Sequence, residues 1–188
     1  WQDVELDFSS GFEPEPHQML LDEEIDVLIT ASRLPLEGIS YLPLFQYESR
    51  LVLSPTHPLV DKKSPILPED LIDETLIVYP VEAKRLDIIA HFFAPAGLAP
   101  KKLRTTELTA MLIQLVASER GVASLPNWVV NEYEKKGWVI SRALGEGVFC
   151  QLYAATRSTS KEVAYIQGFL DLLPEITHKP ILPAHHRA

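Results

Sequence analysis

Two hydroxyl side chains and an acid, Thr105, Thr106 and Glu107, stand together at the predicted start of a helix. Apolar residues follow at the spacing of one helical face, namely Leu108, Met111, Leu112, Leu115 and Val116. Threonine hydroxyls can cap a first helical turn, and the free amides of such a turn bind anions. The stretch therefore predicts a helix start that can hold a small anionic group. The alternative is a plain capped helix with a surface acid that favours its dipole.

Other polar residues follow predicted strands, at the ends where ligands bind in open α/β sheets. The candidate binding residues are Ser10, Gly11, Phe12, Thr30, Ser32, Arg33, Tyr79, Arg85, Thr105, Thr106, Glu107 and Leu108. Plainer interpretations remain open for several of them. Arg33 could be an exposed loop residue or a dimer contact, and Phe12 could be an apolar plug over a predicted helix at residues 18–24.

Residues typical of catalysis or metal binding do not form a recognisable pattern. Cys150 lies in a predicted strand, where a buried small apolar residue is the favoured interpretation. The six histidines have no metal-ligand spacing with one another or with this cysteine. Ser124 lacks the flanking glycines of a nucleophile elbow, and no phosphate loop occurs among the eight glycines. We therefore expect no catalytic residue, no metal site and no cofactor, and the chain is not predicted to be an enzyme.

The composition narrows the class of protein further. The net charge of −9 argues against a surface that grips nucleic acid, since phosphate binding needs clustered Lys and Arg. No uninterrupted apolar run approaches the roughly 18 residues of a membrane span. A single cysteine excludes an internal disulfide and fits a reducing compartment. We expect a cytoplasmic chain that does not contact a membrane.

Predicted strands and helices alternate along the chain, which indicates an α/β fold. Residues 4–8 alternate apolar and acidic side chains and predict a half-buried strand. With the helix at 18–24 and an apolar strand at 25–30, they would form a βαβ unit in a parallel sheet. Further strands are predicted at 39–45, 49–54, 75–79, 122–125, 138–140 and 149–155. Further helices are predicted at 85–94, 127–136 and 161–173, and another has Thr105 and Thr106 as candidate caps of its start and is ended by Gly121.

Two stretches could carry the chain between two lobes. Residues 54–58 contain two prolines and form a stiff connector, and residues 141–147 are rich in turn formers. We predict a first lobe of residues 1–56 and 150–188 and a second lobe of residues 57–149, with a cleft between them.

Four spaced segments carry a family resemblance. They are LDEEIDVLI at 21–29, RLVLSPTHPL at 50–59, DL at 70–71 with LIVYP at 76–80, and the run at 115–126 that ends in GVASLP. In this order they resemble segments of the LysR-type transcriptional regulators. Within that family, YPVEAKRLDIIAHFFAPAG, LPNWVV and LGEGVFCQLYAATR are most similar to regulators of methionine biosynthesis.

The resemblance implies two Rossmann-like subdomains, like those of periplasmic binding proteins, joined by two crossover segments with a small coinducer between them. It also implies that a winged helix-turn-helix domain, a linker helix and the first strand and helix of the first lobe precede this chain. The regulator would then act as a homodimer or homotetramer and activate its genes. It would contact DNA only through the absent domain and could also contact RNA polymerase.

A homocysteine-like amino acid is the coinducer that the resemblance suggests. Its carboxylate needs hydroxyls, helix amides or an arginine, and its ammonium group needs an acid. We expect Thr106 and Ser32 to bind the carboxylate and Glu107 to bind the ammonium group. Phe12 and Leu108 would enclose the thiol arm.

Two classes of function remain open from the sequence. The first is the effector-binding domain of a dimeric transcription regulator, in which a ligand shifts the population of lobe arrangements. The second is a free-standing solute-binding protein or a small α/β enzyme on a similar scaffold.

Overall fold

The computed structural model describes residues 4–9 and 15–177, and its chain divides into two compact units. The first unit takes residues 1–46 and 151–188, and the second takes residues 47–150. The sequence expectation divides the chain at residues 56/57 and 149/150 instead, so the two divisions differ mainly in where residues 47–56 belong.

The described residues form a mixed α/β fold, in which strands and α-helices alternate regularly only from residue 102 onward. The helices are α1 (Pro16–Leu21), α2 (Thr109–Ala117), α3 (Asn127–Lys135) and α4 (Ala164–Thr177). The strands are β1 (Leu28–Thr30), β2 (Ile39–Leu53), β3 (Thr75–Val78), β4 (Lys102–Thr105), β5 (Val122–Pro126) and β6 (Ile140–Arg157). A π-helical turn, Ile89–Phe93, and several short 3₁₀ turns lie between them.

The strands β2 and β6 are longer than the sequence predicts. Each replaces a pair of predicted shorter strands, 39–45 with 49–54 and 138–140 with 149–155. Gly145 and Gly147 have φ of 56° and 109° and stay within β6. Glycine adopts positive φ without strain, so the strand continues through a local irregularity that resembles a turn in the sequence.

In the first unit, β1 pairs with β6 in antiparallel register, with Leu28 opposite Ala155. Helix α4 covers this unit's core by packing Ile166 and Leu170 against Leu44. These side chains recur four residues apart on α4, which is the spacing of one helical face.

The predicted βαβ unit is wrong. Residues 4–9 form no strand, and the Phe8 side chain is 84% exposed. The partner of β1 is therefore not residues 4–8 in parallel but β6 in antiparallel orientation. Alternation of apolar and acidic residues favours a strand only when a partner strand and a core lie beside it.

Arg157, at the end of β6, fixes the segment between α1 and β1. Its guanidinium donates hydrogen bonds to the carbonyl oxygens of Leu20 (2.9 Å) and Ile25 (2.6 Å). It also pairs with the Asp26 carboxylate at 2.6 Å. A planar guanidinium suits such a set of acceptors, and it satisfies one carbonyl in the last turn of α1 and one beyond it.

In the second unit, β3 lies between β4 and β5 and pairs in parallel with both. The other edge of β5 pairs with β2 in antiparallel orientation. The core between the strands and helices consists of Val52, Ile77, Leu112, Ile113, Val116, Ala123, Leu125, Val130 and Val139. The parallel strand β3 is buried along most of its length, as expected for a strand covered on both faces.

The end of α2 differs from the prediction. The left-handed residue is Glu119, with φ of 58°, and it follows directly after the C-cap Ser118. Gly121, with φ of 147°, has a different role: a Cβ at this position would lie 2.2 Å from the Thr75 carbonyl oxygen. Glycine is required here because the β3 and β5 backbones approach closely.

Within residues 4–9 and 15–177, no helix is both long enough and apolar enough to cross a membrane.

Candidate functional site

The polar stretch at residues 105–108 forms the connection from β4 to α2. Thr105 pairs with Val78, so the carboxyl ends of two parallel strands lie side by side. The Thr106 amide donates a 3.0 Å hydrogen bond to the Val78 carbonyl oxygen, which extends this pairing by one residue. The connection is therefore held at the strand edge where ligands bind in sheets of this kind.

The capping prediction for this stretch is wrong. Helix α2 begins at Thr109, its N-cap is Leu108, and no side chain caps it. The hydroxyls of Thr105 and Thr106 are consequently not used for that role. Thr106 is half-buried, whereas Thr105 and Glu107 are exposed and Leu108 is 66% exposed.

Tyr79 joins this group from the end of β3. Its hydroxyl lies 2.7 Å from the Thr109 Oγ1, in the first turn of α2. Burial raises the pKa of the Tyr79 hydroxyl, although the bond to Thr109 acts in the opposite direction. The hydroxyl is therefore neutral at physiological pH.

Arg85 lies in a segment that departs from the predicted helix at 85–94. It ends the 3₁₀ turn Ala83–Arg85, and its amide donates to the Glu82 carbonyl oxygen at 2.8 Å. The π-helical turn Ile89–Phe93 then replaces the second half of that predicted helix. Arg85 is half-buried and belongs to the second unit, as do Tyr79 and residues 105–108.

Thr30, Ser32 and Arg33 form a second polar group, in the first unit. The Ser32 amide donates to the Thr30 hydroxyl at 3.0 Å, which turns the chain at the end of β1. The Arg33 guanidinium lies 5.8 Å from the centre of the Tyr41 ring. This distance is within the range of a cation–π contact.

Two residues of this group were missed by the sequence analysis. His17 Nε2 lies 3.0 Å from the Ser32 carbonyl oxygen, and the Tyr41 hydroxyl accepts from the Leu34 amide at 3.2 Å. The spacing in the sequence could have indicated that His17 is buried. His17 precedes Leu20 by three residues, and both side chains lie on the buried face of α1. Ser10, Gly11 and Phe12 lie outside the described residues.

A third cluster contains chemistry that the sequence spacing did not reveal. The Asp87 carboxylate, the His91 imidazole and the Cys150 thiol have ligand atoms that all lie within 4.8 Å of one another. The Tyr47 hydroxyl donates to Asp87 Oδ2 at 2.7 Å. Burial, and next the Asp87 carboxylate, raise the pKa of the Cys150 thiol to about 12, and burial and Asp87 also raise the pKa of Tyr47.

The separation of these residues explains why the cluster was missed. Asp87 and His91 are four residues apart around the start of a helical turn, which places them on one side of it. Cys150 comes from β6, far along the chain, and no local pattern relates it to them. The i, i+4 pair of acid and histidine was the one signal available.

The amino-acid sequence matches a known protein family along most of its length. Residues 1–176 match the family model of the LysR substrate binding domain. The HTH-type transcriptional regulator MetR of Escherichia coli K12 is 45% identical over 170 residues, which cover 90% of this chain and 53% of that protein. The corresponding protein of Haemophilus influenzae is 39% identical over the same length. The chain thus spans about half the length of the curated relatives that it matches.

Solved structures agree with this result. The regulatory domain of NMB2055 (MetR), a LysR family regulator from Neisseria meningitidis, superposes with a TM-score of 0.86 at 39% identity. The match covers 98% of this chain and 84% of that one. The effector binding domain of QuiR, solved in complex with shikimate, has a TM-score of 0.71 at 21% identity and shows the shared fold alone.

Proposed function

This chain belongs to the family of LysR substrate-binding domains, and from that premise we propose that it senses a small molecule for a transcription regulator of methionine biosynthesis. The observation that carries the proposal is the 45% identity to the MetR regulator over 90% of the chain. The family consists of transcription regulators and not of enzymes, so the enzyme alternative is set aside. The complete regulator would act in the cytoplasm and bind DNA through a helix-turn-helix domain outside this chain.

The proposed ligand is an amino acid with a short thiol arm, and homocysteine is the first candidate. The carbonyl of Val78 already holds the Thr106 amide, but the Thr106 hydroxyl is not used as a helix cap. That hydroxyl, half-buried beside an exposed Glu107, offers a donor for a carboxylate and an acid for an ammonium group. Ser32, Phe12 and Leu108 complete the proposed set.

Arg33, Arg85 and Tyr79 have supporting roles in this proposal. The Tyr79 hydroxyl is half-buried and neutral, and it touches the first turn of α2. Either arginine could pair with the ligand carboxylate, because a guanidinium binds a carboxylate through two parallel hydrogen bonds. Thr30, Thr105, Ser10 and Gly11 are proposed to shape the surrounding loops.

The architecture that we propose follows from the family. Two Rossmann-like subdomains, joined by two crossover segments, would enclose the coinducer, and a further strand and helix of the first subdomain would precede this chain. Ligand binding would change the relative population of two arrangements, to the extent that the ligand prefers one of them. A homodimer or homotetramer would transmit that change to the DNA-binding domains and, in turn, to RNA polymerase.

Calorimetry tests the ligand proposal. The protein translated from the complete reading frame should be titrated with homocysteine, methionine and cysteine. We expect homocysteine to bind most tightly, because it alone combines the zwitterion with a thiol on a two-carbon arm. If methionine bound with equal affinity, the thiol would not be part of what the site recognises. If none of the three amino acids gave a heat of binding, the proposal of an amino-acid coinducer would be contradicted.

Sedimentation tests the assembly. At micromolar concentration the complete protein should sediment as a dimer or tetramer. A monomer under those conditions would contradict the proposed mechanism, since the DNA-binding domains would then not be held as a pair.

A further inference from the structure

The cluster of Asp87, His91 and Cys150 in the second unit combines three different metal-ligating side chains. A carboxylate, an imidazole and a thiol converge with all their ligand atoms within 4.8 Å of one another. None of these residues belongs to the set proposed for the coinducer. We propose that this cluster is a zinc site with three protein ligands.

The ligand set selects the metal. Thiolate and imidazole are the preferred ligands of Zn²⁺, and a carboxylate oxygen is its usual third donor type. Ca²⁺ and Mg²⁺ favour oxygen-only sites and would not use the sulfur. Zinc therefore fits the set of one sulfur, one nitrogen and one oxygen better than calcium or magnesium does.

The geometry is close to that of a filled site. Ligand atoms at about 2.0–2.3 Å from a tetrahedral zinc ion lie roughly 3.3–3.8 Å from one another. The observed limit of 4.8 Å therefore has to shrink by about 1 Å. His91 can supply this movement, because its side chain is exposed whereas Cys150 is 7% exposed and fixed in β6.

An outer hydrogen bond orients one of the ligands. The buried Tyr47 hydroxyl donates to Asp87 Oδ2 at 2.7 Å, which holds the carboxylate facing the thiol. Ligating carboxylates in metal sites are commonly held in this way by a second group. Without such a bond, Asp87 could rotate away from Cys150.

The local backbone also suits a binding site. Asp87 and His91 flank the beginning of the π-helical turn Ile89–Phe93, and π-helical turns occur frequently at functional sites. On metal binding, the thiol would release its proton to solvent and form the sulfur–metal bond. Three protein ligands leave a fourth position, on the exposed His91 side, for water or an added ligand.

Cobalt substitution tests the site without reference to the coinducer. The chain, freed of metal by a chelator, is titrated with Co²⁺ and then with Zn²⁺. We expect one equivalent of Co²⁺ to produce a thiolate-to-cobalt charge-transfer absorption together with the strong visible bands of tetrahedral cobalt, and Zn²⁺ to abolish both. Absence of the charge-transfer band would overturn the proposal.

Variants identify the ligands. Cys150→Ser should abolish the charge-transfer band, and His91→Gln and Asp87→Asn should each weaken Zn²⁺ binding. Tyr47→Phe should weaken it about 10- to 100-fold, as outer-shell changes do. His91→Gln alters an exposed side chain and therefore keeps the test decisive even if a buried variant fails to fold.

The matched control removes two adjacent histidines outside the cluster. His185 and His186 are adjacent in the sequence and could bind metal adventitiously. The double variant His185→Gln/His186→Gln should retain the full absorption and affinity. Loss of the signal in this variant, or its persistence in Cys150→Ser, would show adventitious binding only and overturn the proposal. Because homocysteine is absent from the assay, failure here leaves the coinducer proposal unaffected.

Discussion

The Tyr47 hydroxyl donates a 2.7 Å hydrogen bond to Oδ2 of Asp87, and this bond joins β2 to the segment before the π-helical turn. Tyr47 is 7% exposed. Burial, and next the Asp87 carboxylate, raise the pKa of the Tyr47 hydroxyl, so it remains a donor across the physiological range. The proton needed for this bond is therefore present throughout the physiological pH range.

Tyr47→Phe should lower the free energy of unfolding of the chelator-treated protein by about 1.5–3 kcal/mol, because a hydrogen bond to a carboxylate is lost while the ring remains. Urea unfolding measures the change. Tyr165→Phe is the matched control, since its ring is 40% exposed in α4 and the change should be close to neutral. Equal effects of the two substitutions would contradict a specific role for the Tyr47 bond.

Asp70 gives a prediction for acid pH. Partial burial would raise the pKa of its carboxyl, but the hydrogen bond from Lys62, the one from the Leu67 amide and the Lys62 charge outweigh it and lower the pKa from its ordinary value. A group with a lowered folded-state pKa stabilises the protein above its unfolded-state pKa. That stabilisation is lost as the pH falls through the folded-state value.

Asp70→Asn should therefore lower the free energy of unfolding by about 1 kcal/mol at neutral pH and by almost nothing near pH 2. Denaturant curves of both proteins across this range measure the difference. Glu69→Gln, at an exposed neighbouring position, should show no such dependence. A difference that stays constant down to pH 2 would mean that the Asp70 charge is not the cause.

Gly121 and Gly97 form a matched pair for backbone effects. Both have positive φ, but a Cβ on Gly121 would meet the Thr75 carbonyl oxygen at 2.2 Å, whereas a Cβ on Gly97 would meet nothing within 4 Å. Gly97→Ala should cost about 1–2 kcal/mol, from the left-handed conformation alone. Gly121→Ala should cost about 2–5 kcal/mol, because β3 and β5 must also separate.

Thermal and urea unfolding of the two glycine variants compare these values directly. If Gly121→Ala were no worse than Gly97→Ala, the close approach of the β3 and β5 backbones would not hold in solution. A local adjustment of the Thr75 peptide would then have to explain why the protein tolerates a Cβ at position 121.

In the second unit, local sequence patterns predicted which residues of an element are buried better than they predicted where the element begins. The 3- and 4-residue spacing correctly identified Leu112 and Val116 as buried in α2, because each helical face repeats at that interval. Leu108 and Met111 fit the same spacing but are 66% and 50% exposed. The helix begins only at Thr109, so Leu108 stands before its first turn.

Contacts between parts of the chain that are distant in sequence could not be predicted from these local patterns. The antiparallel pairing of β1 with β6, and the meeting of Asp87 with Cys150, depend on which strands become neighbours in the folded unit. Apolar alternation at residues 4–8 carries no information about a partner strand. The resemblance to a family favoured a regulator, because the polar residues alone kept a solute-binding protein or a small α/β enzyme as the alternative.

Glu107 tests the proposed coinducer site most directly. Its exposed carboxylate follows Thr106, whose amide is fixed to the Val78 carbonyl oxygen at the end of β3. If Glu107 binds the ammonium group, Glu107→Gln should weaken homocysteine binding roughly tenfold, the scale of one charge-assisted hydrogen bond. Glu146→Gln is the control, because it removes an equally exposed acid of the same unit and should leave the affinity unchanged. Calorimetry that gives Glu107→Gln the wild-type affinity would remove Glu107 from the site and leave Thr106 and Ser32 to be tested in turn.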